Sequence, residues 1–179
     1  MEMIPEKNCA RCSLSEFRTQ LVMPSGDLDS KVAFVGEAPG ENEDYWGKPF
    51  VGKSGKLLDR LMEEEGLPRS RIMITNTVKC RPPKNRDPTA EEMAACRPFL
   101  EHELRTKDVV VCLGKSACRS LFGYEGKMGV IVNTRIEKEI GGRAVTIIPT
   151  YHPAACIYNR DSTEGLRETI RAIREMMVQ

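Results

Sequence analysis

The chain is poor in several features that would assign it to a large class at once. Across 179 residues no apolar run approaches the ~20 residues of a bilayer-spanning helix, so no membrane is expected. Its 27 basic and 26 acidic side chains leave a net charge of +1, so no overall field marks it as a nucleic-acid binder. Aromatic residues are 6% of the chain. Histidines number two, His102 and His152, so any imidazole chemistry rests on one of them. Glutamine is nearly missing, a bias that suits a thermophile. The cysteine count of seven is odd and no secretory signal precedes Cys9, so disulfides are not expected. A reducing cytoplasm is the expected setting. Repeats and low-complexity stretches are also missing, and the length fits a single domain, 1–179.

What is present alternates. Apolar β-rich runs at 31–36, 71–78, 108–114 and 144–150 are separated by helical patterns at 53–65, from Thr89 to about Arg105, through Leu121, and at 163–177. Thr89 and Glu92 form a T-x-x-E capping box. Residues 130–140 read as an edge or hairpin strand. This order predicts an α/β fold with a mainly parallel sheet and helices on both faces. Ligands of such sheets bind at the carboxyl ends of the strands. Three of those ends carry Glu37, Asn76 and His152, which are therefore expected to converge on one cleft.

Four cysteines form the most distinctive pattern. Cys9 and Cys12 make a C-x-x-C, Cys80 lies in VKCRPPKNR, and Cys96 follows sixteen positions later. Two thiolates on one turn and two from afar close a four-ligand shell, which suits zinc or an iron–sulfur cluster. The opening pair sits in polar sequence with little core to enter, whereas Cys112 and Cys118 lie in apolar surroundings and read as buried structural residues. The metal would staple the loose N-terminal arm, 1–30, to the body.

Two loops carry the other signals. Gly47 to Ser54 matches G-x-x-x-x-G-K-[ST], but a phosphate loop follows a strand directly. Here the preceding strand ends at Gly36, which argues against an ATPase; Lys53 and Ser54 are candidates for a nucleic-acid backbone instead. Residues 37–52 read as a stiff loop presenting Glu37, Glu43 and Phe50. Lys79, Arg81, Lys84 and Arg86 crowd a second, Pro-rich loop as candidate phosphate contacts.

GEAPG, GKPFVGKSGKLL, ITNTVKCRPPKNR and HPAA, in this order and with the four cysteines, resemble the family 4 uracil-DNA glycosylases. The resemblance implies a three-layer α/β/α sandwich around a four-stranded parallel sheet. It also implies a [4Fe–4S] cluster on Cys9, Cys12, Cys80 and Cys96, with zinc the second choice, and a structural task for it. The implied activity is hydrolysis of the deoxyuridine N-glycosidic bond in DNA by a monofunctional enzyme. A non-catalytic iron–sulfur nucleic-acid-binding module of the same fold is the alternative.

Within that frame Phe50 stacks on the extruded base, while Ala38 and Pro39 line its pocket. Asn76 gives N–H to uracil O4 and accepts from N3–H, a pattern that cytosine reverses. His152 stabilises charge developing on O2, and Glu37, with Glu43 second, stabilises the cationic sugar or orients water. His102, in EHELRTK, is expected to face water. After HPAA this chain departs from the family's usual leucines, leaving Cys156 and Ile157 as candidates for the wedge that fills the vacated stack. The expected partner is uracil-containing DNA, with a sliding clamp or a downstream repair enzyme as further candidates. The enzyme is expected to be a monomer near the nucleoid.

Overall fold

The structure, a computed structural model, describes residues 4–178. Its sheet contains β1 (Ser25–Gly26), β2 (Val32–Gly36), β3 (Met73–Asn76), β4 (Val109–Leu113), β5 (Ile136–Ile140) and β6 (Arg143–Thr150) in the order β1-β3-β2-β4-β6-β5. The inner four are mutually parallel, and β1 and β5 add antiparallel edges. The sheet is thus six strands wide, not four. β1 has only two residues, too short for any periodicity. β5 is shorter than the expected 130–140 segment because Met128–Ile131 turns as a small helix and Asn133 takes a left-handed φ of 62°.

The helices are α1 (Glu41–Trp46), α2 (Lys53–Glu64), α3 (Ala90–Leu104), α4 (Lys115–Phe122), α5 (Met128–Ile131), α6 (Pro153–Cys156) and α7 (Arg160–Met177). α1 interrupts the segment read as a continuous loop. α3 opens as the T-x-x-E pattern predicts, with Glu92 N–H donating to Thr89 Oγ1 at 3.2 Å and Thr89 N–H to Glu92 Oε1 at 2.8 Å. α7 starts earlier than 163 because Asn159 Oδ1 accepts from the Ser162 N–H at 3.0 Å.

β2 and β4 are buried at every position, which requires cover on both faces. On one face α2 and α7 pack Leu58, Leu61, Leu166 and Ile170 against Phe34, Val111 and Ile148. On the other, α3 and α4 pack Leu100, Leu104, Ala117 and Leu121 against Val35, Val110 and Ile147. Each such Leu, Ile, Val or Phe side chain contributes about 1.5–3 kcal/mol on burial. The result is the three-layer sandwich. A third apolar cluster joins Leu14 of the arm to Val78, Met93 and Phe99, and it contains the four distinctive cysteines. No helix among the described residues is long and apolar enough to cross a membrane.

Candidate active site

The carboxyl ends of β2, β3 and β6 surround a small cavity of about 30 Å³ lined by Ala38, Glu43, Phe50, Ser54, Asn76 and His152. Two glycines permit this closeness. A Cβ on Gly36 would stand 2.3 Å from Phe50 Cζ and 2.6 Å from Asn76 Oδ1. Gly114, at the end of β4, has a φ of +93°, and a Cβ there would stand 2.9 Å from His152 Cβ. Phe50 itself has a left-handed φ of 54°, unusual for a non-glycine residue. Its backbone is held by Arg69, whose guanidinium bonds the carbonyls of both Pro49 and Phe50.

Asn76 is buried, and its Oδ1 has no hydrogen-bond partner. An unpaired buried acceptor costs about 1–3 kcal/mol, so in this wall it marks where a donor belongs. His152 lies 5.6 Å from Phe50 between ring centroids, with the planes tilted by 34°. Its Nδ1 accepts from the Ala154 N–H at 3.0 Å. Burial pushes its pKa down to about 4, against the opposing pull of Glu43. The ring is therefore neutral with its hydrogen on Nε2, a donor with no partner among the described residues. The cavity offers an acceptor, a donor and an aromatic face, the chemistry of a planar heterocycle with both N–H and C=O edges. A cavity of about 150 Å³ is of the size that takes up benzene, so this one widens to admit a heterocycle.

The acids are placed differently from the expectation. Glu37 is not in the cavity wall. Its Oε2 accepts from Ser116 Oγ, at the start of α4, at 2.8 Å. Burial first, then the contact with Asp87, raises its pKa to about 7, while Ser116 and Arg119 oppose the rise. Glu37 thus flanks the cavity over the crevice between β2 and β4. Pro39 is buried outside the wall as well. Glu43 lines the cavity, but its Oε1 accepts from Gly40 N–H at 3.0 Å and its Oε2 from Val51 and Gly52 N–H at 2.9 and 2.7 Å. Those bonds fix the loop and leave Glu43 poorly placed to act as a base. Asp87, hidden in the sequence among basic neighbours, and Ser116 are the groups that residue-type reading missed.

Of the basic loop, Lys84 is exposed and Arg81 half-exposed, with Arg81 Nε on Asn85 Oδ1 at 2.8 Å. Arg86 pairs through both terminal nitrogens with Glu92 at 2.8 Å. Lys79 is a correction. It is wholly buried, and its ammonium donates to Thr75 Oγ1, the Asn76 carbonyl and Glu103 Oε1 at 2.7, 2.6 and 2.7 Å. No phosphate can reach it. Cys156 is a second correction: it is 4% exposed, packed under α6, and cannot act as a wedge. Ile157 is half-buried, whereas the next residue, Tyr158, is 90% exposed, with Lys53 Nζ 3.3 Å from its hydroxyl. Gly47 follows helix α1, so Gly47 to Ser54 lacks the strand that a phosphate loop needs. His102 is half-buried on α3.

Cys80 and Cys96 are buried, Cys9 and Cys12 half-buried, and all four thiols are free. They feel one another's charge: Cys9 and Cys12 act on Cys96, and Cys12 and Cys96 act on Cys80. Burial pushes the Cys80 thiol up to about 11 despite Arg18, whose Nη1 lies 3.4 Å from the sulfur. Among the described residues no three His, Cys, Asp or Glu side chains stand together as ligands of a single ion. Cys112 and Cys118 are fully buried between sheet and α4.

A larger groove of about 560 Å³ opens at the opposite end of the sheet, near Lys31, Asp108 and Met177. It carries charges of both signs, and no buried polar atom is left unpaired in its wall.

The model of the Uracil DNA glycosylase superfamily matches residues 23–175. A type-4 uracil-DNA glycosylase of Thermotoga maritima is 45% identical over 90% of this chain and 85% of its own. The type-4 enzymes of Saccharolobus solfataricus and Sulfurisphaera tokodaii are 42% and 40% identical over 96% and 99% of this chain, and over 82% and 85% of theirs.

Proposed function

Because the chain belongs to the uracil-DNA glycosylase superfamily, we propose that it hydrolyses the N-glycosidic bond of deoxyuridine in DNA, releasing uracil and leaving an abasic site. The observation that carries this reading is the unpaired Oδ1 of Asn76 facing a pocket that also presents a neutral imidazole.

Extruded uracil stacks on Phe50. Its N3–H donates to Asn76 Oδ1, and the Asn76 amide N–H donates to O4. Cytosine presents the reverse pattern and leaves both groups opposed. As the bond between C1′ and N1 breaks, its electron pair passes into the uracil ring and onto O2, which the Nε2–H of His152 stabilises. A neutral donor suits this task, since it need not give up its proton. The sugar becomes cationic, and Glu37, beside the pocket rather than in it, faces that charge and takes the proton of the water adding to C1′. Glu43 holds the loop that carries Phe50.

Lys84 and Arg81, with Lys53 and Ser54 at the start of α2, contact phosphates. Tyr158, not Cys156, is the large side chain exposed after His152, and with Ile157 it fills the gap left by the base. Cys9, Cys12, Cys80 and Cys96 hold an iron–sulfur cluster. Four cysteine thiolates are the ligand set of such a cluster. Its contribution is structural, tying the arm to the loop at 80–86. The whole acts as a single glycosylase domain in the reducing cytoplasm, where DNA and thiolate clusters coexist.

Incubation with an oligonucleotide carrying one uracil, followed by alkali, should break the strand at that position. No breaks above background would leave only the non-catalytic binding module.

A further inference from the structure

The Lys79 ammonium is a wholly buried charge that the mechanism above leaves without a task. Its three bonds end on Thr75 Oγ1 at 2.7 Å, the Asn76 carbonyl at 2.6 Å and Glu103 Oε1 at 2.7 Å. Thr75 Oγ1 also donates to Glu103 Oε1 at 2.8 Å, and the Glu103 side chain is 8% exposed. Burying an ion pair rarely adds stability over apolar packing, so its value lies in what it orients. Here it grips the main chain of the residue whose side chain reads the base. The other end of Lys79 faces the thiols. Its carbonyl accepts from Val22 N–H of the arm at 2.8 Å, and the next residue is Cys80, packed with Cys96 in the third apolar cluster.

We infer that Lys79 is a positioning residue that joins the four-cysteine centre to the base-reading amide of Asn76. The centre fixes the main chain of Lys79, and the ammonium passes that constraint to the end of β3. The inference rests on the function proposed above and extends it: base selectivity depends on a residue that never touches the base, and pocket occupancy and metal retention are linked reciprocally.

The molecule supplies its own control. Lys107 is a second wholly buried lysine, donating to the carbonyls of Leu28 and Ser30 at 2.7 Å each, at the opposite end of the sheet. Losing it removes a buried charge of the same kind without touching Asn76.

The test compares wild type, Lys79→Met, Thr75→Val and Lys107→Met, all purified with their metal. The first readout is kcat and KM for release of uracil and of cytosine from oligonucleotides. The second is the rate of metal loss to a chelator, with and without saturating free uracil, a probe that meets only the pocket. Lys79→Met should lower the uracil-to-cytosine ratio of kcat/KM by roughly 10- to 100-fold, as expected for a misplaced reading group. Thr75→Val should lower it by roughly 3- to 10-fold, since the ammonium keeps its bonds to Glu103 and the Asn76 carbonyl while the hydroxyl's two bonds are lost. Lys107→Met should keep the wild-type ratio. Free uracil should slow metal loss from wild type and Lys107→Met, but not from Lys79→Met. If Lys79→Met does not fold, the near-isosteric Thr75→Val decides. Wild-type ratios in both pocket-side variants would overturn the linkage while leaving the function intact, and so would an equal fall in Lys107→Met. A wild type that releases no uracil would overturn both.

Discussion

Asn76→Asp exchanges an amide that both donates and accepts for a carboxyl whose pattern depends on its proton. Ionised, it accepts twice: it keeps the bond from uracil N3–H but sets an oxygen against O4. Protonated, it donates to cytosine N3 and accepts from the cytosine amino group, the complement of the wild-type pattern. Asn76 is 2% exposed and its Oδ1 is unpaired, so neither base finds compensating water. Each mismatched buried group costs about 1–3 kcal/mol. With two groups exchanged, the change in uracil-over-cytosine preference is about 2–6 kcal/mol, or roughly 30-fold to 10⁴-fold in the ratio of kcat/KM. Free bases released from matched single-uracil and single-cytosine oligonucleotides can be quantified by chromatography. Cytosine release by the variant should also rise as pH falls, because the protonated carboxyl is its reader. An unchanged ratio in a folded, metal-loaded variant would remove Asn76 from base reading.

The same geometry sets further outcomes at His152, Glu37 and Gly36. His152→Leu should lower kcat roughly 10²- to 10³-fold, the effect of losing one preorganised donor; a loss confined to KM would contradict that role. Because burial pushes His152 down to about 4, the unfolded chain takes up a proton from about pH 6.5 downward that the folded chain refuses until about pH 4. This destabilises the protein progressively across that window, and His152→Leu should flatten the acid side of a Tm–pH profile. Glu37, raised to about 7 by burial and Asp87, should make the rate climb through neutral pH as it ionises, and Asp87→Asn should move that midpoint down; a fixed midpoint refutes the pairing. The same shift makes its stability contribution full below about pH 4.3 and lost as pH rises toward 7. Gly36→Ala places a methyl within 2.3 Å of Phe50 and 2.6 Å of Asn76 Oδ1, and should cost roughly 100-fold in kcat/KM.

The parallel core was legible in the sequence because strands buried on both faces write themselves as unbroken apolar runs, as in VAFVG and VVVCL. The start of α3 was legible because its cap is local, spanning Thr89 to Glu92. β1 was not, since a two-residue strand has no pattern. Nor was α1, whose ENEDYW has no apolar stripe and is fixed instead by Glu43 bonding back to Gly40 and forward to Val51 and Gly52. At the site, strand-end position located Asn76 and His152, but residue type misled where partners are distant. Lys79 sits among cations in sequence, yet its counter-charge lies 24 residues away on α3. Glu37 was expected in the pocket, but Ser116, 79 residues on, turns its carboxyl aside. Charge reading saw only the basic members of the loop at 79–87 and passed over Asp87.

The most direct measurement is a crystal structure of the protein with free uracil bound. The expected density places the ring on Phe50, with N3 within hydrogen-bond distance of Asn76 Oδ1, O2 facing His152 Nε2, and the small resting cavity widened around it. Uracil bound elsewhere, or in this cavity with Asn76 Oδ1 still unpaired, would contradict the proposed mode of recognition.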